Sequence, residues 1–473
     1  MNLRAALSFT ATALLTLSLT ACGGGGGGGA PTLHGATGYT IGGTVSGLSG
    51  RQVTLLNNGS DALTVTANGS FTFATPVAYN GSYAVTVGTQ PTGETCSVSH
   101  GSGAGVTASV SNVAVTCADT QFVYVANRDS NTVSAYRIDA TTGALTPVAG
   151  SPFAAGGAPV SVTVNPTSTF AYVANSGSNT VSAYRIDAAT GALTPVAGSP
   201  FATGGSTPAS VTVPPTGTFA YVANTYSNNV SAYSINATTG ALTPVAGSPF
   251  TSAYMMYPVS VATSAAGNPG GNFFLFAADN RSDTISVFTI NTTTGALTSD
   301  GDVFGNPGEG PISVAVDPNF FPCNATTCFP YGYFYEVNQN DYNVLEQNFS
   351  VFTGAVVGGN GTTPTGSFPY AITLNRAGTF AYVANSGSNT VSAYSIDAPT
   401  GGLTEVAGSP FATGVAPLSV AVNPAGTFAY VANSGSSTVS AYSINAATGA
   451  LTPVAGSPFA AGITPFSVVV AQP

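Results

Sequence analysis

Apolar and polar residues alternate in short stretches along the chain from residue 38 onward, and turn residues separate these stretches. Alternation with a period of two is typical of half-buried β-strands. The 3.6-residue periodicity of amphipathic helices is absent, which excludes a helical solenoid. The pattern therefore predicts an all-β protein.

One strand sequence recurs seven times in the larger part of the chain. A second alternating stretch follows each copy, then a Gly-containing turn, a short third stretch and a fourth stretch such as Val160–Val164. Four strands in a unit of about 50 residues match one blade of a β-propeller. The copies are Phe122–Asn127, Phe170–Asn175, Phe219–Asn224, Phe274–Asp279, Tyr333–Asn338, Phe380–Asn385 and Phe428–Asn433.

The two ends of the repeat array predict how the ring closes. The array begins at Phe122, in the second strand of a unit, and ends with Pro465–Val470, which matches the first strand of a unit. The C-terminal strand is therefore expected to complete the blade that residues 122–149 begin. Closure of this kind removes the open sheet edges that promote aggregation.

Residues 38–118 show a different arrangement of short strands, with Asn-Gly turns at Asn58, Asn68 and Asn80. Six or seven strands in this length predict a small antiparallel β-sandwich of immunoglobulin-like type. The expected division of the chain is a signal peptide (1–21), a Gly-rich tether (22–37), this sandwich (38–118) and a seven-bladed propeller (119–473). The predicted sandwich strands are Tyr39–Val45, Arg51–Leu56, Ala62–Thr66, Ser70–Ala74, Ser82–Val87, Cys96–Ser99 and Val110–Thr116.

The N-terminus resembles a bacterial lipoprotein signal. Arg4 precedes an apolar stretch that ends in Leu-Thr-Ala-Cys at Cys22, and Gly23–Gly29 form a flexible tether. The resemblance implies export, lipid attachment at Cys22 and, because Gly follows the cysteine, the outer membrane. An ordinary secretory signal cleaved near Ala21 is the alternative.

The other four cysteines form two local pairs, Cys96 with Cys117 and Cys323 with Cys328. In an oxidising compartment both pairs are expected to be disulfides. Neither His nor a further Cys lies close to the second pair, so zinc is not expected there. No other metal site and no cofactor motif is predicted.

Charged residues are scarce, and the types that are present exclude whole classes of function. The chain has 17 acidic residues, and its 7 basic residues are all Arg. Without Lys, neither a P-loop nor a Schiff-base site can form. Nucleic acid is not expected as a partner, because phosphate binding needs clusters of basic residues.

The repeat resembles the lactonase family of seven-bladed propellers, which includes 6-phosphogluconolactonase, and the related YVTN-type repeats. The resemblance implies a propeller across all seven units and a site near the channel mouth with ionisable side chains, typically His and Arg. The propeller region lacks His, so no family catalytic residue can be placed here by position. The Arg residues of this region are Arg128, Arg137, Arg185, Arg281 and Arg376.

Candidate ligand-binding residues lie where units three to five depart from the repeat. Near-identical loops favour a scaffold, whereas a specific pocket needs asymmetry, and aromatic residues with a few charges suit a ligand. Drift in surface loops is the alternative explanation. The candidates are Tyr226, Met255, Met256, Tyr257, Arg281, Asp283, Glu309, Asp341, Tyr342, Phe368 and Tyr370.

These observations favour a surface-anchored binding lipoprotein without catalysis. Its membrane contact would be the lipid on Cys22, and its ligand a protein, a peptide or a carbohydrate at the propeller face. The first alternative is a lactone hydrolase similar to 6-phosphogluconolactonase, and the second is a structural component of the envelope.

Overall fold

The structure is a computed structural model that describes residues 38–264, 271, 273–303, 309–319 and 331–473. Every regular element in this part of the chain is a β-strand, which confirms the all-β fold class. Among these residues, no helix long and apolar enough to cross a membrane is found.

The first eight strands form two four-stranded sheets, ordered β4-β1-β8-β6 and β3-β2-β5-β7. The structure adds β7, which the sequence interpretation missed in a Gly- and Ser-rich stretch. The expectation of purely antiparallel pairing is wrong for β1 and β8, which run parallel. The strands are β1 (Ile41–Ser46), β2 (Val53–Asn57), β3 (Asp61–Val65), β4 (Gly69–Thr72), β5 (Gly81–Thr89), β6 (Glu94–Ser99), β7 (Ser102–Val106) and β8 (Val110–Asp119).

A single apolar core joins the two sheets, with Ile41 and Val115 from one and Val53 and Leu55 from the other. Cys96 and Cys117 stand opposite each other on β6 and β8 and form the expected disulfide. Cys22, Cys323 and Cys328 lie outside the described residues.

Seven sheets follow, each with four strands in its main order and, in four of them, a short fifth strand, and they are the blades of the expected seven-bladed propeller. We number the blades in chain order, and the strands nearest the axis contact their neighbours around the ring. Blade 1 contains β9 (Phe122–Asn127), β10 (Thr132–Ile138), β11 (Leu145–Pro147) and β12 (Phe153–Ala154). Blade 2 contains β13 (Pro159–Val164), β14 (Phe170–Asn175), β15 (Thr180–Ile186), β16 (Leu193–Pro195) and β17 (Phe201–Ala202). Blade 3 contains β18 (Pro208–Thr212), β19 (Phe219–Asn224), β20 (Asn229–Ile235) and β21 (Leu242–Pro244).

The remaining blades repeat this order from the axis outward. Blade 4 contains β22 (Pro258–Thr263), β23 (Phe273–Asp279), β24 (Thr284–Ile290) and β25 (Leu297–Val303). Blade 5 contains β26 (Pro311–Val316), β27 (Tyr331–Asn338), β28 (Asn343–Ser350) and β29 (Val356–Pro364). Blade 6 contains β30 (Pro369–Leu374), β31 (Phe380–Asn385), β32 (Thr390–Ile396), β33 (Leu403–Glu405) and β34 (Phe411–Ala412). Blade 7 contains β35 (Pro417–Val422), β36 (Phe428–Asn433), β37 (Thr438–Ile444), β38 (Leu451–Pro453) and β39 (Phe459–Ala460).

The last strand, β40 (Pro465–Ala471), pairs antiparallel with β9 and becomes the innermost strand of blade 1. Blade 1 is thus built from both ends of the propeller region, as the two ends of the repeat array predict. The pairing joins residues more than 300 positions apart, for example Val125 with Val468.

Each blade interlocks with the next through a glycine in a turn. Gly191 of blade 2 has a φ of 75°, and a Cβ there would lie 2.3 Å from the ring of Phe122 in blade 1. The carbonyl of the same glycine accepts a hydrogen bond from the Tyr124 hydroxyl. Glycine is required because it tolerates positive φ and leaves room for the ring. The equivalent tyrosine bonds are Tyr172–Gly240, Tyr221–Gly295, Tyr335–Gly401, Tyr382–Gly449 and Tyr430–Gly143.

A belt of serines forms a second set of contacts between blades. The Ser161 hydroxyl on β13 accepts a hydrogen bond from the Val211 amide on the next innermost strand, at 3.1 Å. The same bond joins Ser210 to Val261, Ser260 to Val314, Ser313 to Ile372, Ser419 to Val468 and Ser467 to Val162. Blade 6 interrupts the belt, because Ala371 occupies the serine position opposite the Val420 amide.

The junction between blades 4 and 5 departs most from the repeat. Phe276 replaces the tyrosine that bonds to the turn glycine, and Gln347 replaces a second tyrosine, which in five other blades bonds to a carbonyl of the preceding blade. Glu336 takes the place of a valine and is 0% exposed. Among the described residues, its two carboxylate oxygens have no hydrogen-bond partner. Burial raises the pKa of Glu336 to about 8, and the nearby Gln347 side chain opposes this shift.

We expect Ala371→Ser to stabilise the protein by about 1 kcal/mol, because the new hydroxyl can accept the Val420 amide proton. Ser210→Ala should destabilise it by roughly 1–3 kcal/mol, because it leaves the Val261 amide without its acceptor. Urea unfolding of both variants measures these changes. If neither variant differs from the wild type, the serine belt does not contribute to stability.

We expect the wild type to lose stability relative to Glu336→Gln as the pH rises. An unfolded glutamate ionises near pH 4.3, whereas the folded carboxyl keeps its proton up to about pH 8. The folded state therefore binds the extra proton in this window, and the free energy of unfolding falls as pH increases. Urea unfolding between these pH values, with the exposed Glu405→Gln as control, tests this. Parallel stability curves for the wild type and Glu336→Gln would contradict it.

Candidate functional site

A cavity of about 570 Å³ lies at the end of the axial channel where the innermost strands begin. Antiparallel pairing places the first residues of each innermost strand beside the loop that ends the second strand, as with Pro465 and Asn127. The loops after the second strands therefore contribute Arg128, Ser176, Thr225 and Asn280 to the cavity wall.

The floor of the cavity is rich in hydroxyl groups. Six serines of the belt line it, together with Ala371. Each serine oxygen already accepts an amide proton from the next blade, while the hydroxyl retains its own proton for donation. Apolar side chains such as Val259, Ile312 and Leu418 alternate with these hydroxyls. This arrangement can donate several hydrogen bonds to a ligand on the axis.

One side of the cavity is aromatic and cationic. The rings of Tyr370 and Phe466 meet edge to face at 5.6 Å, and the Arg128 guanidinium lies 5.7 Å from the centre of the Phe466 ring. Arg128 also forms a 2.8 Å ion pair with Asp129, which raises the pKa of the guanidinium and lowers that of the carboxyl. Burial raises the pKa of Tyr370 to about 12, so its hydroxyl remains a donor at neutral pH.

A second aromatic pair, Tyr226 and Tyr257, lies across the loops of blades 3 and 4. Their rings are 5.3 Å apart, and the Arg281 guanidinium lies 4.2 Å from the centre of the Tyr257 ring. Hydrogen bonding to Tyr226 raises the pKa of Tyr257. Of this group, only Tyr257 lines the cavity, whereas Tyr226 is on the outer surface.

A third pair, Tyr342 and Phe368, joins the loops of blades 5 and 6 with ring centres 5.2 Å apart. Both residues have positive φ, 55° and 49°, and both side chains are exposed. The Ser386 amide and hydroxyl donate to the Phe368 carbonyl and hold this loop in place.

Two of the candidate carboxylates support loops. Asp283 accepts the Gly310 amide at 2.8 Å, and Asp341 accepts the Glu309 amide at 2.7 Å. In other blades, an asparagine at the position of Asp283 makes the same bond, for example Asn179 with Thr207. Asp283 is therefore a substitute for a structural asparagine.

The other candidates occupy different surroundings. Met255 is 4% exposed and packs in the core between blades 3 and 4, while Met256 is exposed and its carbonyl accepts the Arg281 amide. The structure brings Tyr257 and Tyr370 to the cavity, and keeps Tyr226, Tyr342 and Phe368 on the surrounding face.

The sequence interpretation missed Arg128, Phe466, Asn280 and the serine belt. Arg128 stands where other units have Ser176 or Thr225, and Phe466 follows the proline that begins an innermost strand. Both positions were therefore visible as departures from the repeat, but they lie at the two ends of the array, away from the variable units.

The described lining residues include no Asp, Glu or His. In the described part of the chain, no cluster of three or more His, Cys, Asp and Glu residues is placed to hold a metal ion. The described wall thus combines one cation, several hydroxyl donors and aromatic surfaces.

The family model "Lactonase, 7-bladed beta-propeller" matches residues 85–202, 162–261, 199–316 and 335–468. The chain belongs to this lactonase family. The comparison with curated proteins finds no match.

Several solved structures share this fold at low sequence identity. A protein from Bacteroides uniformis, named as a candidate 6-phosphogluconolactonase, is 19% identical with a TM-score of 0.61, over 74% of this chain and 99% of its own. The periplasmic gluconolactonase PpgL of Pseudomonas aeruginosa is 20% identical with a TM-score of 0.60, over 75% of this chain and 100% of its own. At these identities, the similarity establishes the fold alone.

Proposed function

We propose that this chain binds a small hydroxylated ligand with one anionic group in the mouth cavity, without transforming it. The observation that carries the proposal is the composition of the described wall, in which Arg128 is the one cation and faces no lining carboxylate. Two N–H groups of Arg128 bond to Asp129, and the remaining donors of the guanidinium can bind an anion.

The size and polarity of the cavity support a ligand of this class. Its volume of about 570 Å³ falls within the roughly 300–1,000 Å³ of small-molecule sites. The serine belt supplies donors for hydroxyl or carbonyl oxygens, and Tyr370 and Phe466 supply an apolar wall. A sugar acid has this combination of one charge, several hydroxyls and an apolar ring face.

The same wall favours binding over hydrolysis. Opening a lactone with water requires a group that accepts a proton near neutral pH or a metal that activates the water. The described lining has no carboxylate or imidazole, and the high pKa of Tyr370 keeps its hydroxyl protonated. The serine hydroxyls have no neighbouring base in this lining to activate them as nucleophiles.

Lactone hydrolysis is the second candidate, because the family membership and the names of two structural neighbours favour it. Both candidates use the same cavity, so measurements of binding and of turnover on the same variants distinguish them.

We also propose that the protein is exported and anchored to the envelope, at the outer membrane, through a lipid on Cys22. The Cys96–Cys117 disulfide supports an oxidising compartment. Metabolic labelling with palmitate should mark the wild type and not Cys22→Ser. Equal labelling of the two proteins would contradict lipid attachment at this residue.

We expect Arg128→Gln to weaken binding of gluconate, which carries a single carboxylate, at least ten-fold, because it replaces the cation of the cavity with a shorter neutral amide. Isothermal titration calorimetry on the purified chain measures this, and the corresponding lactones are tested for turnover. Arg185→Gln, on the exposed side of β15, is the matched control.

Lactone turnover above the buffer rate that disappears in Arg128→Gln would establish the hydrolase. Absence of both binding and turnover across this panel would favour a structural role in the envelope.

A further inference from the structure

We propose that the exposed rings of Tyr226, Tyr342 and Phe368 form a second binding surface, outside the mouth cavity, for a neutral carbohydrate chain. We call these three residues the aromatic arc, because they follow one another in the loops of blades 3, 5 and 6 on the face that contains the mouth. None of the three lines the cavity, so this site is separate from the one proposed above.

Exposure is the first observation that supports the arc. Tyr226 is 63% exposed, Phe368 is 48% exposed and Tyr342 is 39% exposed. Each ring also contacts another aromatic ring edge to face, Tyr226 with Tyr257 and Tyr342 with Phe368. These contacts hold the rings in place and leave ring surface open to solvent, where the apolar face of a sugar ring can stack.

The backbone conformation of the arc is the second observation. Tyr342 and Phe368 adopt positive φ values of 55° and 49°, which large side chains rarely do. Other blades also have positive φ at these two positions, for example 57° at Asn389 and 51° at Ala416, so the conformation belongs to the repeat, and the large side chains add strain on the order of 1–3 kcal/mol to it. At the Phe368 position, blades 2, 3 and 7 have the smaller residues Ala158, Thr207 and Ala416, whereas blade 4 has Tyr257. The arc therefore places large rings on a left-handed backbone that the repeat itself sets.

Tyr342 also lacks the short side-chain acceptor with which the equivalent residue of other blades bonds to the next loop. In other blades, an asparagine at this position accepts the amide of the residue before the innermost strand, as Asn389 does with Ala416. The phenol of Tyr342 replaces that short acceptor. The Tyr226 position is a glycine in three other units, Gly177, Gly387 and Gly435. The aromatic side chains are thus additions that the local fold does not require.

The backbone of these loops disfavours a peptide partner. Adjacent loops already pair through main-chain hydrogen bonds, Tyr226 with Ser206, Thr365 with Tyr342, and Ser386 with Phe368. Addition of a peptide strand requires free N–H and C=O groups at a sheet edge. A partner at this surface must therefore be bound by side chains. A carbohydrate can be bound in this way, because its rings stack on aromatic side chains and its hydroxyls form hydrogen bonds.

Charge indicates that the carbohydrate is neutral. Among the described residues, the loops of this face between Tyr226 and Phe368 carry one basic side chain and three acidic ones. They are Arg281 and, on the acidic side, Asp283, Glu309 and Asp341. Arg281 already lies over the Tyr257 ring. An acidic polymer would meet an excess of negative charge, whereas a neutral one avoids this repulsion.

The test is affinity electrophoresis of the full chain in gels that contain neutral polysaccharides with β-1,4-glucan, α-1,4-glucan or mannan backbones, followed by calorimetry with hexasaccharides of the retained type. The wild type should be retarded by at least one of them. Tyr342→Asn and Tyr226→Gly, which restore the residues of other blades, should each weaken binding at least ten-fold.

Stability separates recognition from folding in this experiment. Tyr342→Asn should unfold at an equal or higher urea concentration than the wild type, because asparagine tolerates positive φ and regains the acceptor. Phe352→Ser, an exposed aromatic in the turn after β28, is the control and should bind like the wild type. Arg128→Gln should also retain carbohydrate binding, so failure of the mouth-cavity proposal and failure of this one give different results.

The first three of four outcomes that would overturn the proposal concern the wild type and the control. These are no retardation by any neutral polysaccharide, binding only to an acidic polysaccharide, and equal loss of binding in Phe352→Ser. Retention of binding in both arc variants would likewise assign the carbohydrate to another surface.

Discussion

The rest of this structure depends on one repeated contact between neighbouring blades. In this contact, a glycine in a turn of one blade packs against aromatic side chains on the second strand of the preceding blade. At Gly191, positive φ and the missing side chain let the Phe122 ring pack directly on the turn, and the glycine carbonyl accepts the Tyr124 hydroxyl. The contact buries the apolar ring and also gives the buried tyrosine hydroxyl a hydrogen-bond acceptor. Without that acceptor, burial of the hydroxyl would cost free energy. Since it needs no charged group, it explains how a chain with 5% charged residues forms a propeller.

Ring closure makes these contacts cooperative. Each blade packs against two neighbours, and β40 converts an open array into a ring by completing blade 1. The serine belt adds a polar layer close to the axis. The hydroxyls in this layer support the fold and also face the cavity, so the same residues serve packing and the candidate site.

Variation in this otherwise regular ring is concentrated in blades 3 to 6. The junction between blades 4 and 5 lacks both inter-blade tyrosine bonds and buries Glu336, while the nearby loops present Tyr226, Arg281, Tyr342 and Phe368. The regular blades supply stability that these departures reduce locally. Such separation of scaffold and site is the general behaviour of propellers, and it is why family membership alone does not determine the activity of this chain.

Much of this protein follows from the sequence alone. The period of about 50 residues, with four alternating stretches in each unit, specifies the blades, and the offset between Phe122 and Pro465 specifies how the ring closes. Departures from the repeat also located Tyr257 and Tyr370, because a repeat makes each exception visible. Only the tertiary structure showed that Arg128, Phe466 and Asn280 meet these tyrosines at the mouth, that Met255 is buried, and that Asp283 and Asp341 hold loops. The physical reason is that strand alternation encodes which residues share a sheet face, whereas the convergence of seven blades on one axis depends on ring closure between residues more than 300 positions apart.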